Sequence, residues 1–171
     1  MIVDDSALSA YAQQVGVLLT SKHLRLVTAE SCTGGWIGQS ITAIAGSSGW
    51  YECGFITYSN QAKHRMLGVQ ATTLLKYGAV SEQTAREMVT GALKMSTAQV
   101  AISVTGVAGP SGGSKEKPVG MVCFAWEFKQ STIHSTTHLF SGDRESVRRQ
   151  AVAAALLGII ELLEGISPSL V

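Results

Sequence analysis

Residues 28–38, TAESCTGGWIG, place a serine, a cysteine and a threonine between two different sequence patterns. The residues directly before this stretch alternate apolar and polar side chains and predict a strand, whereas those after it have helical spacing. Ser31, Cys32 and Thr33 therefore fall where a strand passes into a helix. Unpaired backbone N–H groups and the positive end of the helix dipole collect at such a point, so it suits an anion or a nucleophile.

Two kinds of role are open for this segment. Ser31 can be a nucleophile whose oxyanion is stabilised at the helix N-terminus, and Cys32 can be one if that position lowers its pKa. The commoner role of Ser31 or Thr33 here is to cap the helix, with Gly34 and Gly35 allowing close packing. A small buried residue is the commoner role of Cys32. Taken alone, the residues favour capping.

A nucleophilic serine needs a base, and here the candidate base is a lysine. The chain has no GxSxG elbow, and its four histidines show no Ser-His-Asp order. Lys63 lies one helical turn after Ser59, on a short predicted helix that begins at the same end of the sheet as Ser31. A lysine removed from water can lose its proton near neutral pH, as a Ser-Lys mechanism requires. A solvated helix lysine is the commoner alternative.

A glycine-rich loop and an arginine are candidates for binding an anion. The segment TGVAGPSGGS brings Thr105 and Gly106 together with further glycines after a predicted strand. Glycine-rich turns expose N–H groups that can hold a phosphate, although neither a Walker A loop nor a GxGxxG fingerprint is present. Arg144 can add a bidentate contact to a phosphate or carboxylate. Its alternative is a first-turn surface arginine, which the helix dipole disfavours.

Helices and strands alternate along the sequence and must position these residues. Helices are predicted at about 6–22, 33–45, 60–68 and 72–78, from Ser81, and from Asp143 to about Glu164; strands are predicted at 24–30, 53–59, 98–106, 119–128 and 131–140, the last two as a hairpin around Lys129 and Gln130. This order predicts a three-layer α/β/α sandwich around a mixed, mostly parallel sheet. Without a repeat or a long linker, the expectation is a single domain over residues 1–171. In such sheets ligands bind at the carboxyl ends of strands, where the polar segments meet.

Composition and charge exclude several classes of protein. Hydrophobic residues make up 46% of the 171 residues and charged residues 15%, which excludes disorder. A net charge of +1 without a basic stripe argues against nucleic acid as a partner. The three cysteines lack CxxC spacing, so neither a disulfide framework nor a metal site is expected, and a reducing cytoplasm fits. No membrane span or secretory signal is expected. Low charge and an apolar last helix favour a homo-oligomer, with a dimer as the default.

Five longer segments carry a resemblance to a known family: TAESCTGG, GFITYSNQAKHRMLGV, YGAVSEQTAREM, SVTGVAGPSGGSKEKPVG and FSGDRESVRRQA. In this order, over nearly the whole chain, they resemble the CinA C-terminal domain family, whose free-standing members are nicotinamide-nucleotide amidases. The resemblance implies hydrolysis of nicotinamide mononucleotide to nicotinate mononucleotide and ammonia, without a metal or cofactor, in pyridine-nucleotide salvage. Larger members carry an added N-terminal pyrophosphatase domain, and because this chain begins at the first amidase helix we expect that activity to be absent.

The resemblance also implies roles for individual residues. Ser31 matches the nucleophile and Lys63 the general base, and Tyr58 matches a tyrosine that relays or orients the proton. Gln61 stands where the family motif has glutamate, which removes a carboxylate near Lys63. The residues expected to bind the substrate come from three segments and are Cys32, Thr33, Gly34, Thr105, Gly106 and Arg144. The first three would offer backbone N–H groups to the oxyanion, the next two would line the site near the scissile amide, and the arginine would hold the phosphate.

Two rival functions remain at this stage. One is a non-catalytic sensor that binds pyridine nucleotides, which the set of Ser31, Tyr58 and Lys63 argues against because binding alone needs no base. The other is an amidase for a different small amide on the same scaffold.

Overall fold

Six helices and five strands lie within residues 3–165, which are the residues that the computed structural model describes. The helices are α1 (Asp5–Ser21), α2 (Trp36–Thr42), α3 (Asn60–Leu67), α4 (Ala71–Tyr77), α5 (Glu82–Lys94) and α6 (Arg144–Leu163). The strands are β1 (Leu26–Glu30), β2 (Tyr51–Ile56), β3 (Val100–Gly106), β4 (Met121–Phe128) and β5 (His134–Leu139). Their order along the chain agrees with the order predicted from the sequence.

The five strands form one mixed sheet in the order β2-β1-β3-β4-β5. Strand β1 pairs in parallel with both β2 and β3, whereas β4 is antiparallel to β3 and to β5. Four strands therefore run in one direction and β4 runs against them, which confirms the mixed, mostly parallel sheet and the final hairpin. Because β1 lies between two parallel neighbours, the carboxyl ends of β1, β2 and β3 meet at one edge of the sheet.

Helices cover both faces of the sheet, which confirms the three-layer α/β/α sandwich. Helices α1, α2 and α6 pack on one face and α3, α4 and α5 on the other. Side chains alternate between these faces along β3: Ile102 and Val104 belong to the first core, whereas Ala101 belongs to the second. Ser103 also points to the second face, where its hydroxyl donates to the Ala85 carbonyl of α5 at 2.6 Å.

The apolar last helix, α6, is a core element of this sandwich. Its buried side chains include Leu156 and Ile159. Gly158 lets it approach the sheet, since a Cβ atom at this position would lie 2.3 Å from the indole of Trp126. The Trp126 Nε1–H donates to the Ala155 carbonyl at 3.1 Å. No helix among residues 3–165 is long and apolar enough to cross a membrane.

The main difference from the predicted elements concerns α2. The sequence pattern predicted a helix from residue 33, but the regular helix begins at Trp36 and ends at Thr42. Residues 31–35 form a turn instead, and Gly35 adopts a left-handed conformation with a φ of 95°, which favours glycine. The stretch with the candidate nucleophile is thus a separate turn between β1 and α2.

Candidate active site

Lys63 and Ser31 form the centre of the site. Lys63 Nζ lies 2.9 Å from Ser31 Oγ, and only 1% of Lys63 and 7% of Ser31 are exposed. Ser31 directly follows β1, and Lys63 lies on α3, whose first turn is capped by Ser59 through a 3.0 Å bond from the Ala62 N–H. The parallel pairing of β1 with β2 brings these two segments together. The structure therefore pairs the two residues that the sequence analysis named as nucleophile and base.

Lys63 is held by backbone carbonyl groups and not by an acid. Its Nζ also lies 2.7 Å from the Thr57 carbonyl oxygen and 3.4 Å from that of Tyr58. No Asp or Glu in the described part of the chain forms an ion pair with it. Burial lowers the pKa of Lys63 from 10.5 to about 8, against a small opposing effect of the Cys32 thiol. A neutral amine can donate to both carbonyl groups and direct its lone pair at the Ser31 hydroxyl.

Gln61 takes no part in this environment. Its side chain is exposed. It lies two positions before Lys63 on α3, and helical side chains at that spacing do not face each other. The replacement of the family's glutamate at this position therefore does not change the direct contacts of Lys63.

Glu30, which the sequence analysis did not single out, determines the geometry of the turn. Its carboxylate is 1% exposed. It accepts four hydrogen bonds, from the Thr33 hydroxyl at 2.7 Å and from the N–H groups of Gly35, Ile37 and Gly38 at 2.9, 3.1 and 2.9 Å. The N-terminus of α2 is thus occupied by Glu30, and the expectation that Ser31 or Thr33 caps this helix is wrong. Ser31 Oγ is left to contact Lys63.

Two N–H groups beside Ser31 have no hydrogen-bond partner in the described structure, and of the two residues that carry them only Cys32 lines the cavity that opens onto Ser31. The Ser31 N–H donates to the Val104 carbonyl at 2.9 Å, and the Gly34 N–H donates to the Ser31 carbonyl at 3.0 Å. The N–H groups of Cys32 and Thr33 have no hydrogen-bond partner among residues 3–165. Of the three residues expected to offer N–H groups to an oxyanion, Gly34 is therefore already committed within the turn.

A cavity of about 280 Å³ opens onto the Lys63–Ser31 pair. Its lining includes the following residues named from the sequence: Ser31, Cys32, Tyr58, Lys63, Thr105, Gly106 and Arg144. The rest of the lining comes from Ala79, Val80 and the glycine-rich loop, and no acidic side chain is part of it. Thr33 is fully buried, and Gly34 lines a different cavity on the side of α1, α2 and α6.

Arg144 and Tyr58 lie together at the rim of this cavity. Arg144 Nη1 donates to the Gly109 carbonyl at 2.7 Å, and Nη2 donates to the Tyr58 hydroxyl at 3.1 Å. Arg144 forms no ion pair with any residue that the structure describes. Tyr58 is 63% exposed, and it is its carbonyl oxygen, not its hydroxyl, that contacts Lys63. A proton-relay role for Tyr58 stays a prediction.

Thr105 and Gly106 shape the wall of the cavity. The buried Thr105 hydroxyl donates to the Ala79 carbonyl at 2.8 Å and so ties the end of β3 to the segment before α5. A Cβ atom at Gly106 would lie 2.7 Å from the Met121 carbonyl oxygen, so no larger residue fits there. Both residues line the same cavity as Lys63.

Cys32 is unsuited to act as the nucleophile. Burial raises the pKa of its thiol to about 12, so that it stays protonated at neutral pH. The contact of Lys63 is with the Ser31 hydroxyl. The structure therefore supports the interpretation of Cys32 as a small buried residue.

Among residues 3–165, no group of three or more His, Cys, Asp or Glu could hold a metal ion.

Thr57 and Arg148 are two further residues that the sequence analysis missed. Thr57 contributes its carbonyl oxygen to Lys63, and its buried hydroxyl has no hydrogen-bond partner within the described residues. Arg148 donates to the carbonyl oxygens of Cys32 and Thr33 from helix α6. A backbone contact leaves no trace in residue type, so neither could be recognised from the pattern.

Comparison with known proteins gives consistent matches. The profile of the CinA C-terminal domain matches residues 8–163. Nicotinamide-nucleotide amidohydrolase PncC from Escherichia coli (strain K12) is 53% identical over 152 residues, which cover 89% of this chain and 92% of that protein. The protein of the same name from Pseudomonas putida is 47% identical over 155 residues, covering 91% and 96%. The crystal structure of competence/damage inducible protein CihA from Agrobacterium tumefaciens superposes with a TM-score of 0.90 at 43% identity, covering 91% of this chain and 95% of that one.

Replacing Lys63 by methionine should make the fold more stable. The pKa of Lys63 is about 8 in the folded protein against an ordinary value of 10.5, so between these values the unfolded chain binds more protons and stability rises with pH. Below pH 8 the lysine is charged in both the folded and the unfolded chain, so burial of its charge destabilises the folded protein to the full extent. Lys63→Met should therefore raise the free energy of unfolding at pH 7 by about 1–3 kcal/mol.

Urea unfolding at pH 7 and at pH 10 measures this effect, and the gain should shrink at the higher pH. Lys94→Met, at an exposed position of α5, is the matched control and should change little. A Lys63→Met protein that is less stable than the wild type at pH 7 would contradict the prediction.

Proposed function

The chain belongs to the CinA C-terminal domain family, and on that premise we propose that it hydrolyses the carboxamide of nicotinamide mononucleotide to nicotinate mononucleotide and ammonia. The observation that carries this proposal is the 2.9 Å contact of Lys63 Nζ with the Ser31 hydroxyl, in which the lysine is buried and has no acidic partner among the described residues. The names of the similar curated proteins support this substrate. The contact of Lys63 with Ser31 supports a base and a nucleophile, which an amidase needs and a binding protein does not.

In the first half of the proposed reaction, Ser31 Oγ attacks the carboxamide carbon while neutral Lys63 takes the hydroxyl proton. The carbonyl oxygen becomes an oxyanion, and the unpartnered N–H group of Cys32, which lines the cavity, is the donor beside it. Oxyanion donors contribute on the order of 3 kcal/mol each in well-studied hydrolases. The C–N bond then breaks as the lysine ammonium returns its proton to the nitrogen. Ammonia leaves, and the acyl group stays on Ser31 as an ester.

In the second half, water attacks the ester carbon and Lys63 again takes a proton. Collapse of the second tetrahedral intermediate breaks the bond between the acyl carbon and Ser31 Oγ, and Lys63 protonates the serine. Nicotinate mononucleotide leaves as a carboxylate, and the proton of its acid group passes to the released ammonia, which becomes ammonium in solution. One water is consumed and one ammonia is released, and both the serine and the lysine return to their starting states.

The charge of the cavity supports a phosphorylated substrate. Arg144 is fixed by Gly109 and Tyr58 but has no acidic partner in the described structure, and no carboxylate lines the cavity. A guanidinium in this state can bind the phosphate of a mononucleotide. Thr105 and Gly106 would then lie beside the pyridine ring. A role in pyridine-nucleotide salvage, independence of metal, a cytoplasmic location and a homodimer stay predictions.

The deciding experiment is an assay of ammonia and nicotinate mononucleotide with EDTA present. The wild type should turn over, whereas Ser31→Ala and Lys63→Ala should lose kcat by on the order of 1000-fold or more, because each removes a group that acts on the reacting atoms. Lys94→Ala serves as the exposed control. Turnover that survives in Ser31→Ala would overturn the nucleophile and point to Cys32 or to direct attack by water.

Two results of this assay would favour the rival functions. Binding of the mononucleotide without any turnover would indicate a sensor. Turnover of another small amide, with none of the mononucleotide, would indicate a different amidase.

The rate should follow the protonation of Lys63. Because the base must be neutral, kcat/KM should rise about tenfold per pH unit below pH 8 and level off above it, with the midpoint at the pKa of about 8. A profile from pH 6 to pH 10 measures this dependence. A profile that is flat between pH 7 and pH 9, or that falls with pH there, would show that Lys63 is not the base.

Replacing Arg144 should weaken binding of the phosphate group. A charge-assisted hydrogen bond is worth about 1.5–3 kcal/mol, so Arg144→Gln should raise KM for nicotinamide mononucleotide by about 10- to 100-fold. The unphosphorylated nicotinamide riboside should react equally poorly with both proteins, because it lacks the group that Arg144 binds. Arg65→Gln on exposed α3 is the control. An equal loss for both substrates would assign Arg144 a role other than binding phosphate.

A further inference from the structure

We propose that Arg148 is a positioning residue of this site, whose guanidinium fixes the turn that presents the Cys32 N–H group to the oxyanion beside Ser31. The inference rests on the proposed function, because it assigns a role in the same reaction. Arg148 does not reach the Lys63–Ser31 pair directly and does not line the cavity that opens onto it. It acts through the turn that follows β1.

The contact of Arg148 with the turn is bidentate. Its Nε donates to the Cys32 carbonyl at 3.1 Å, and its Nη2 donates to the Thr33 carbonyl at 2.8 Å. The planar guanidinium presents these two donors in a fixed geometry, so it holds two consecutive peptide groups at once. A lysine at this position could reach one carbonyl group but could not fix both.

Fixing these carbonyl groups also fixes the N–H groups. In a trans peptide the C=O and the next N–H point in opposite directions. The only cis bond described is Gly109–Pro110, so the peptides of the turn are trans. Arg148 holds the Thr33 carbonyl, so it also holds the Gly34 N–H of the same peptide, which donates to the Ser31 carbonyl. The Ser31 carbonyl shares its peptide with the Cys32 N–H, which therefore points away from Gly34. The Cys32 N–H has no partner among residues 3–165, and Cys32 lines the cavity.

The charge of Arg148 strengthens this arrangement. No described Asp or Glu pairs with it, and its guanidinium lies 5.2 Å from the centre of the Trp36 ring. A cation on the carbonyl side of a peptide polarises the peptide and makes its N–H a stronger donor. This effect grows as the oxyanion forms, so it stabilises the transition state more than the bound substrate.

Arg149, the next residue of α6, provides a matched control. Its guanidinium lies 4.9 Å from the same Trp36 ring, and both arginines line the same cavity beside α1. Arg149 forms ion pairs with Asp5 and Glu145 and makes no contact with the turn. A substitution there also removes one positive charge and one contact with the Trp36 ring, and it breaks two ion pairs besides, but it leaves the two carbonyl groups alone.

The test compares the wild type with Arg148→Gln, Arg148→Lys and Arg149→Gln in turnover of nicotinamide mononucleotide, and records Tm for each. Loss of one oxyanion donor costs about 100- to 1000-fold in kcat, so Arg148→Gln should lower kcat by about 100-fold with KM changed less than about threefold. Arg148→Lys should recover part of the rate, and Arg149→Gln should stay close to the wild type. A fourth variant, Arg148→Ala, should lose activity as Arg148→Gln does. Guanidinium chloride, at a concentration too low to unfold the protein, should partly restore its kcat.

The outcomes separate this inference from the proposed function. If the wild type releases no ammonia, both fail. If the wild type is active and Arg148→Gln keeps its kcat, or shows only a higher KM, the inference fails and the proposed function stands. If Arg148→Gln has a lower Tm than the wild type, the activities of Arg148→Lys and of Arg148→Ala with added guanidinium decide. If neither variant regains activity although its Tm is that of the wild type, Arg148 is only a structural residue and the inference is overturned.

Discussion

Burial of the Lys63 ammonium without an acidic partner is the constraint on which the site depends. An isolated buried charge is unfavourable, so burial lowers the pKa of Lys63. Carbonyl oxygens, and not a carboxylate, accept the hydrogen bonds of its amine. A carboxylate would hold the lysine charged and prevent it from accepting a proton. The carbonyl groups of Thr57 and Tyr58 accept hydrogen bonds from either form. The amine therefore keeps its place in both protonation states, which a base that works repeatedly requires.

A second constraint explains why the serine is free to meet this lysine. A helix that starts just after a strand leaves N–H groups to be satisfied, and a nearby serine or threonine would ordinarily satisfy them. Here the Glu30 carboxylate, at the end of β1, accepts hydrogen bonds from three of these N–H groups and from the Thr33 hydroxyl. The anion-binding property of the helix end is thereby used within the protein. In the proposed reaction, the turn before the helix would then stabilise the substrate oxyanion.

The sequence predicted the sandwich well because the alternation of helical and strand patterns is strong in this chain. It also predicted that Ser31, Lys63 and Thr105 meet, because polar segments that follow parallel strands gather at one edge of the sheet. It named Arg144 as a possible anion contact, and Arg144 lines the same cavity. It failed on the cap, since the residue type common at helix starts was present but a buried carboxylate had taken the role. It missed Thr57 and Arg148 because their contacts are with or from backbone carbonyl groups, and the partners of Arg148 lie 116 and 115 residues away.

Hydrogen bonds at the ends of the strands divide the site into one part that is tied to the sheet and one part that is not. The Ser31 N–H donates to the Val104 carbonyl and the Thr57 N–H donates to the Glu30 carbonyl, so Ser31 and Thr57 continue the hydrogen bonding of the sheet beyond its last regular pairs. Moving these two backbone segments apart would break hydrogen bonds at the ends of the central strands, and their amide hydrogens should exchange with solvent as slowly as those of the core. At the start of the glycine-rich loop the Val107 N–H still donates to the Met121 carbonyl, whereas residues 108–117 and the exposed Tyr58 ring make no such bonds to the strands. We therefore expect adjustment to the shape of a ligand to be larger in those residues than at Ser31 and Thr57, which the sheet holds.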